Sequence, residues 1–177
     1  MKKIVFCLIS LLACVGLTSS CSSDGEETNF SDGTELVIGG EEISSMTDVT
    51  GKIVGLSYDG DAMYMVKCFH SEEEVENSGD LISSKAYGEG NNATVDLPPV
   101  DWNRQTLVVA KCKGPDIGVY VSGKVIKKGE KYLVELSCYG LLTNIIRELD
   151  VLIVMNKPNL TEKNFLLKTT PAEIAGN

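Results

Sequence analysis

Residues 118–139, GVYVSGKVIKKGEKYLVELSCY, decide the fold of this chain. They form two runs rich in β-branched and aromatic residues, with Lys128-Gly129-Glu130 between them. In the second run, alternation places four side chains on one face of a strand: Tyr132, Val134, Leu136 and Cys138. A glycine turn between two such runs predicts an antiparallel β-hairpin with one buried face.

Strands are also predicted on both sides of this hairpin. Residues 105–112, QTLVVAKC, and residues 151–155, VLIVM, are continuous apolar runs that are typical of buried strands. Residues 165–170, FLLKTT, predict a last short strand. Pro98-Pro99 indicates an extended connector, because proline cannot donate to a strand ladder. Further upstream, two β-rich runs flank Asp59-Gly60-Asp61, which predicts another hairpin.

One short helix is predicted after His70. Ser71 is a favourable N-cap, Glu74 follows three residues later, and acidic residues in the first turn favour the positive end of the helix dipole. Gly79 is expected to stop the helix after about two turns. The glutamate cluster is also compatible with a cation site, but helix initiation is the simpler explanation.

Together these elements predict a mainly β domain over residues 47–177. The expected fold is α+β with one short helix, arranged as an antiparallel sandwich or a partly open barrel. Residues 21–46 are rich in Ser, Gly, Glu and Asp, which predicts a flexible tether. An edge strand at the end of this tether is the alternative. The total length fits one domain and a tether.

The first 20 residues have the pattern of a targeting signal. Lys2 and Lys3 give a positive start, residues 4–17 are almost wholly apolar, and residues 18–20 are small and polar. This order is typical of a secretory signal peptide. The apolar run is too short for a membrane span, which needs about 20 residues. It also has no polar face of the kind expected for a helix of the fold. We therefore predict a signal peptide over residues 1–20.

The sequence LTSSC, residues 17–21, resembles the lipobox of bacterial lipoproteins, with the leucine one place further from the cysteine than usual. The resemblance implies cleavage before Cys21 and acylation of its sulfur, which would make the membrane a partner through a lipid anchor. Cys14, in LLAC, is an alternative lipobox that would leave a very short apolar region.

The residues after Cys21, SSDGEE, are similar to the acidic export tags of Bacteroidota-type surface lipoproteins. This resemblance, which is to lipoproteins of uncharacterised function, implies an outer-membrane lipoprotein exposed at the cell surface. A plain polar spacer in a periplasm-facing lipoprotein is the alternative.

The chain is acidic, with 16 Lys and Arg against 25 Asp and Glu and a formal charge of −9 at pH 7. It contains no basic cluster, so we expect it to repel nucleic acid. A solvated protein surface is a sufficient explanation for the acidity.

Three cysteines lie outside the leader and the anchor, and each is in an apolar, strand-like stretch: Cys68, Cys112 and Cys138. We expect three buried free thiols, which behave as small apolar side chains. One disulfide is the alternative. None of the three belongs to a C-x-x-C motif, which argues against a structural zinc site or a thioredoxin-type centre.

Residues that could carry catalysis are few. His70 is the single histidine, so a site with several histidine ligands is excluded, and no nucleophile or phosphate-binding motif accompanies it. The pairs Asp59/Asp61 and Asp96/Asp101 could serve glycoside hydrolysis, but turn chemistry explains them more simply. We predict no cofactor, no metal site and no enzymatic activity.

Residues 97–136 resemble the PrcB-type protease-complex-binding domain of secreted bacterial proteins. The matching positions are Val100, Asp101, Trp102, Leu107, Val108, Val109, Gly114, Gly118, Val125, Gly129 and Leu133. The family's Thr-Gly-Gly is missing and its Gly-Tyr is altered to Gly118-Val119-Tyr120, so the likeness supports the fold more than the activity. It implies a binding loop that enters a partner's cleft, formed by Lys113, Gly114, Pro115, Asp116 and Gly118.

Three functional hypotheses follow. The first is a lipid-anchored, non-enzymatic surface module that binds a protein or another surface ligand, because an anchor and a tether precede a β domain with no visible catalytic set. The second is a protease-associated or protease-inhibiting domain, implied by the PrcB likeness. The third is a small hydrolase that uses His70 or a pair of aspartates.

Overall fold

A computed structural model describes residues 28–50, 62–78, 84–85, 92–93, 97–114, 117–140 and 147–171. In these ranges the strands are β1 (Thr34–Leu36), β2 (Ile43–Asp48), β3 (Tyr64–Phe69), β4 (Ser84–Lys85), β5 (Asn92–Ala93), β6 (Thr106–Gly114), β7 (Ile117–Lys128), β8 (Lys131–Gly140), β9 (Arg147–Met155) and β10 (Phe165–Pro171). The α-helix α1 is Glu72–Ser78, and a short 3-10 helix is Glu162–Asn164.

Two four-stranded sheets form a sandwich. Sheet A has the order β1-β7-β8-β10 and sheet B the order β2-β9-β6-β3, while β4 and β5 form a separate ribbon. The sheets are not closed into a barrel, so the mainly β fold is confirmed in its sandwich form. The predicted hairpin is β7–β8, and Gly129 supplies the turn with a φ of 58°, a value that favours glycine.

The strands of both sheets are antiparallel except for β10, which pairs parallel to β8. The chain leaves sheet A after β8, runs back through sheet B as β9, and returns to sheet A. Because β9 reverses the direction once, β10 runs in the same direction as β8. The pairing places the rings of Tyr132 and Phe165 in a stack with centroids 5.3 Å apart.

The main core lies between the two sheets. Sheet A contributes the alternating face predicted from sequence, Tyr132 to Cys138, and sheet B contributes the side chains of Val108, Ala110, Val151 and Ile153. The other face of sheet B is also buried, with Leu107, Val109, Leu152 and Val154 fully shielded from solvent. This explains why the central strands β6 and β9 are apolar at consecutive positions.

Helix α1 covers part of that second face through Val75. Its start is as predicted, because the backbone N–H of Glu74 donates to Ser71 Oγ at 3.1 Å. The Glu74 carboxylate turns back to accept the N–H of His70 at 2.7 Å, one residue before the N-cap. The connector with Pro98-Pro99 has no regular structure, and Trp102 that follows it packs against the second face of sheet B.

Strands β1 and β2 lie largely within residues 21–46, the range for which the composition predicts a flexible tether. Ile43 is fully buried and pairs with Met155, so the ordered part of the domain begins well before residue 47. A short strand supplies few apolar residues of its own, which hides it from a composition argument. The predicted signal peptide and the Asp59-Gly60-Asp61 hairpin lie outside the described residues.

The strands run between two ends of the sandwich. At the turn end, which carries the Gly129 turn, Lys128 Nζ donates to the carbonyl oxygen of Asn29 and to Asp32 Oδ1, both at 2.6 Å. The segment that leads into β1 therefore joins the domain at this end. At the opposite end, the far end, β6 finishes and β7 begins.

Candidate functional site

Two exposed apolar side chains lie at the far end beside the close of β6. Met63 is 42% exposed and Tyr64 is 45% exposed. The backbone N–H of Lys113 donates to the carbonyl oxygen of Met63 at 2.8 Å, which fixes the two strand ends together. Met63, Tyr64, Lys113 and Gly114 are called the far-end patch below. Methionine and aromatic residues are enriched in protein interfaces.

The far-end patch contains the beginning of the predicted binding loop. Lys113 and Gly114 are the last residues of β6, and Gly118 lies in β7 at a bulge, where two residues of β7 oppose one of β8. Bulges are frequent where a strand terminates and re-aim the chain. Pro115 and Asp116 lie outside the described residues, as does the predicted acylation site Cys21.

Sequence reasoning proposed the loop, but it did not indicate the exposed side chains beside it. Met63 and Tyr64 stand in a β-rich run whose alternation gives no sign of exposure. Tyr64 is held in place by its hydroxyl, which lies 3.3 Å from Thr169 Oγ1 on β10. The aromatic ring is thus positioned at the gap between the two sheets.

His70 is tied to backbone rather than to a nucleophile in the described residues. Its Nε2 lies 2.7 Å from the carbonyl oxygen of Leu160, and a carbonyl only accepts, so Nε2 carries a proton. Its Nδ1 lies 3.3 Å from Glu74 Oε2. The hydrogen bond from Nε2 therefore helps to fix the start of α1 against the connection that follows β9. This geometry adds no support to the hydrolase alternative, which stays a prediction.

A groove of about 590 Å³ opens beside His70 between β3 and α1. Its walls carry opposite charges, with Lys67 on β3 and Glu73 and Glu74 on α1. Lys67 Nζ lies 5.2 Å from the centre of the Phe69 ring, a cation–π distance that holds the ammonium close to the strand.

A second cleft, of about 310 Å³, lies at the turn end and is polar. Gln105 Nε2 donates to Asn156 Oδ1 at 2.6 Å across it, and Gln105 Oε1 accepts the backbone N–H of Asp101 at 2.6 Å. Asp101 Oδ1 accepts the N–H of Asn103 at 3.1 Å, which is the turn role expected for this aspartate. Its predicted partner Asp96 lies outside the described residues.

A cluster of three charged side chains, two of them buried, lies on the second face of sheet B. Lys111 Nζ lies 2.7 Å from Glu148 Oε2 and 3.9 Å from Asp150 Oδ1. The side chains of Lys111 and Asp150 are 3% and 1% exposed, and that of Glu148 is 41% exposed. Sequence reasoning missed this cluster, although Lys111 and Asp150 each interrupt an apolar run and therefore signal a buried polar position.

The three cysteines of the domain are free and buried, as expected. Burial raises the pKa of Cys68 and of Cys112 from 9.0 to about 12, since a thiolate is poorly solvated in the core. Burial also raises the pKa of Cys138. These thiols are therefore poor nucleophiles and poor metal ligands in the folded protein.

Comparison with known proteins finds no matching family model, no matching curated protein and no matching solved structure. Within the part of the chain that the structure describes, no helix is long and apolar enough to cross a membrane. In the same part, no group of three or more His, Cys, Asp or Glu side chains could hold a metal ion.

Proposed function

We propose that this chain is a lipid-anchored, non-enzymatic surface module that is acylated at Cys21 and binds another protein through the far-end patch. The observation that carries the proposal is the position of that patch. Its exposed Met63 and Tyr64 lie beside the predicted binding loop, at the end of the sandwich opposite to the end where Asn29 and Asp32 join the domain.

The anchor and the patch fit one arrangement. The seven residue steps from Cys21 to Thr28 span at most about 25 Å when extended, so the turn end lies close to the lipid leaflet. The 12 residues of β7 rise about 40 Å from the turn end to the far end. A partner could thus reach Met63 and Tyr64 without contacting the membrane. The outer membrane, with the domain at the cell surface, is the proposed location, and a periplasm-facing domain is the alternative.

Site-specific photo-crosslinking in cells tests the binding role. A crosslinking amino acid replaces Tyr64 in one variant and Leu166 in a matched control, because the two positions are 45% and 46% exposed and Leu166 lies on β10 away from the patch. We expect an adduct with a discrete protein from position 64 alone. Absence of any adduct, or equal adducts from both positions, contradicts the far-end patch as the binding surface.

Metabolic labelling with an alkyne fatty acid tests the anchor separately. The native chain should take up the label and sediment with membranes, and Cys21→Ala should do neither, while Cys14→Ala should behave as the native chain. Label retained in Cys21→Ala contradicts acylation at this sulfur, whatever the crosslinking shows.

A protease is the second candidate partner, because Lys113 and Gly114 bring the PrcB-like loop to the far end next to exposed side chains. Inhibition assays with co-secreted proteases test this choice. A gain of protease activity when Lys113→Ala replaces the native domain supports it, and no effect of a micromolar excess of the native domain removes it.

A further inference from the structure

The cluster of Lys111, Glu148 and Asp150 differs from an ordinary surface ion pair in its burial and in its place within the sheet. Lys111 on β6 and Asp150 on β9 are directly opposite each other in the antiparallel ladder. Their side chains are 3% and 1% exposed. On the same face, the next pair in the ladder is Val109 with Leu152, and both are fully buried.

The backbone around Asp150 is fixed on its other side. The N–H of Val49 donates to the carbonyl oxygen of Asp150 at 2.8 Å, and the N–H of Asp150 donates to Thr50 Oγ1 at 3.2 Å. The strand pairing and the burial of both side chains therefore keep the Lys111 amine and the Asp150 carboxyl close together. Such fixed proximity can replace a bimolecular encounter by an intramolecular one with a very high effective concentration.

Burial also changes the chemistry of the pair. A charge removed from water is costly unless it is well compensated, and an amide bond between the two side chains would remove both charges from the core. Glu148 Oε2, 2.7 Å from Lys111 Nζ, is placed to accept a proton from the ammonium. The Glu148 side chain is 41% exposed and so connects the buried pair to solvent.

We propose that Lys111 and Asp150 are joined by an intramolecular isopeptide bond, formed with Glu148 as the proton carrier. The Lys111 Nζ is 3.9 Å from Asp150 Oδ1, so a change of side-chain torsions brings the nitrogen onto the carboxyl carbon. The inference concerns the domain itself and does not depend on the proposed binding role.

The reaction balances without an external reagent. Glu148 takes one proton from the Lys111 ammonium, and the free amine attacks Cγ of Asp150. A C–N bond forms and a C–O bond of the carboxyl group breaks. The leaving oxygen departs as water with two of the three protons of the ammonium, one of them delivered by Glu148, and the third stays on the amide nitrogen. No atom is oxidised or reduced.

Mass spectrometry of the denatured protein tests the proposal. The measured mass of the native chain should be lower, by the mass of one water molecule, than the mass calculated from its sequence and its other modifications. Comparison with Lys111→Met under the same conditions cancels the mass of any lipid, and this variant should show no such deficit. Fragmentation of a digest should yield one branched peptide that contains both residue 111 and residue 150.

Further variants distinguish a mass deficit caused by the isopeptide bond from a loss of water elsewhere in the chain. Glu148→Gln should lower the bonded fraction sharply, because a positioned proton carrier is worth roughly 100-fold or more in rate. Lys168→Met, at a lysine of β10 whose side chain is 59% exposed, should keep the full deficit. A native chain of full mass, or a deficit that survives in Lys111→Met, overturns the proposal. If Lys111→Met does not fold, the native branched peptide still decides the question.

Discussion

The carboxylate of Glu162 accepts the backbone N–H of Cys68 at 3.0 Å. Cys68 lies opposite Val108 of β6, and its N–H, which is bonded to Glu162 and not to β6, points to the outer edge of β3. In the described residues β3 is the last strand of sheet B. An uncovered strand edge is a template for association with other chains, and a side-chain acceptor removes one of its donors.

Replacing Glu162 by alanine should therefore weaken the domain. We expect Glu162→Ala to lower the free energy of unfolding by about 1–2 kcal/mol, because a partly buried donor loses a charged acceptor. Urea titration followed by circular dichroism measures the loss. Lys163→Ala is the matched control, since Lys163 contributes its backbone carbonyl, which accepts from Lys131 Nζ, and that group is unchanged. Equal losses in both variants would show that the contact is not stabilising.

The N-cap of α1 gives a second prediction. Ser71→Ala removes the oxygen that accepts the N–H of Glu74, and we expect it to cost about 1 kcal/mol of stability. Ser44→Ala, at an exposed position of β2, should change stability by less than about 0.5 kcal/mol. A difference between the two variants in urea midpoint is the observable, and its absence would contradict the capping role.

The buried thiols predict a pH dependence. Folding raises the pKa of Cys68 and Cys112 from 9.0 to about 12, so the unfolded chain loses these protons first. The stability that these two protonated thiols contribute is therefore fully present below pH 9, and it is lost as the pH rises from 9 towards 12. Urea midpoints at pH 8, 9 and 10 should decrease, and the decrease should be smaller in Cys112→Ala. A midpoint that stays constant above pH 9 would rule out the effect.

Close packing at Gly123 predicts an energetic coupling between the sheets. A Cβ at this position would lie 2.3 Å from Met46 Cε and 3.1 Å from Leu136 Cδ2. We expect Gly123→Ala to cost about 1 kcal/mol through overpacking, because Met46 Cε ends a flexible side chain that can move aside. Met46→Ala removes the atom in closest contact and should recover part of that cost in the double variant. Strictly additive effects in the double-mutant cycle would mean that the two positions do not meet.

Local features of the fold were predictable because they depend on residues close in sequence. The alternation from Tyr132 to Cys138, the turn at Gly129 and the cap at Ser71 each follow from side-chain period or backbone preference, and the structure contains all three. The continuous apolar character of β6 also indicated full burial, which the second buried face of sheet B explains.

Features that depend on distant contacts were not predictable. The parallel pairing of β10 with β8 depends on the path of β9 through the other sheet, which no local pattern encodes. The exposure of Met63 and Tyr64 depends on where neighbouring strands end. The meeting of Lys111 with Asp150 depends on a register between residues 39 positions apart, so only its burial, and not its partner, could have been anticipated.

The parallel strand β10 also constrains the order of assembly during synthesis. Residues 165–171 occupy an edge of sheet A, and in the chain they follow the other strands that the structure describes. A nascent chain emerges amino terminus first, so Tyr132 cannot stack on Phe165 until the 33 residues that follow Tyr132 have left the ribosome. Of the strands that the structure describes, β10 is therefore the last that can join the sandwich, and a chain that stopped before residue 165 would leave one edge of β8 unpaired.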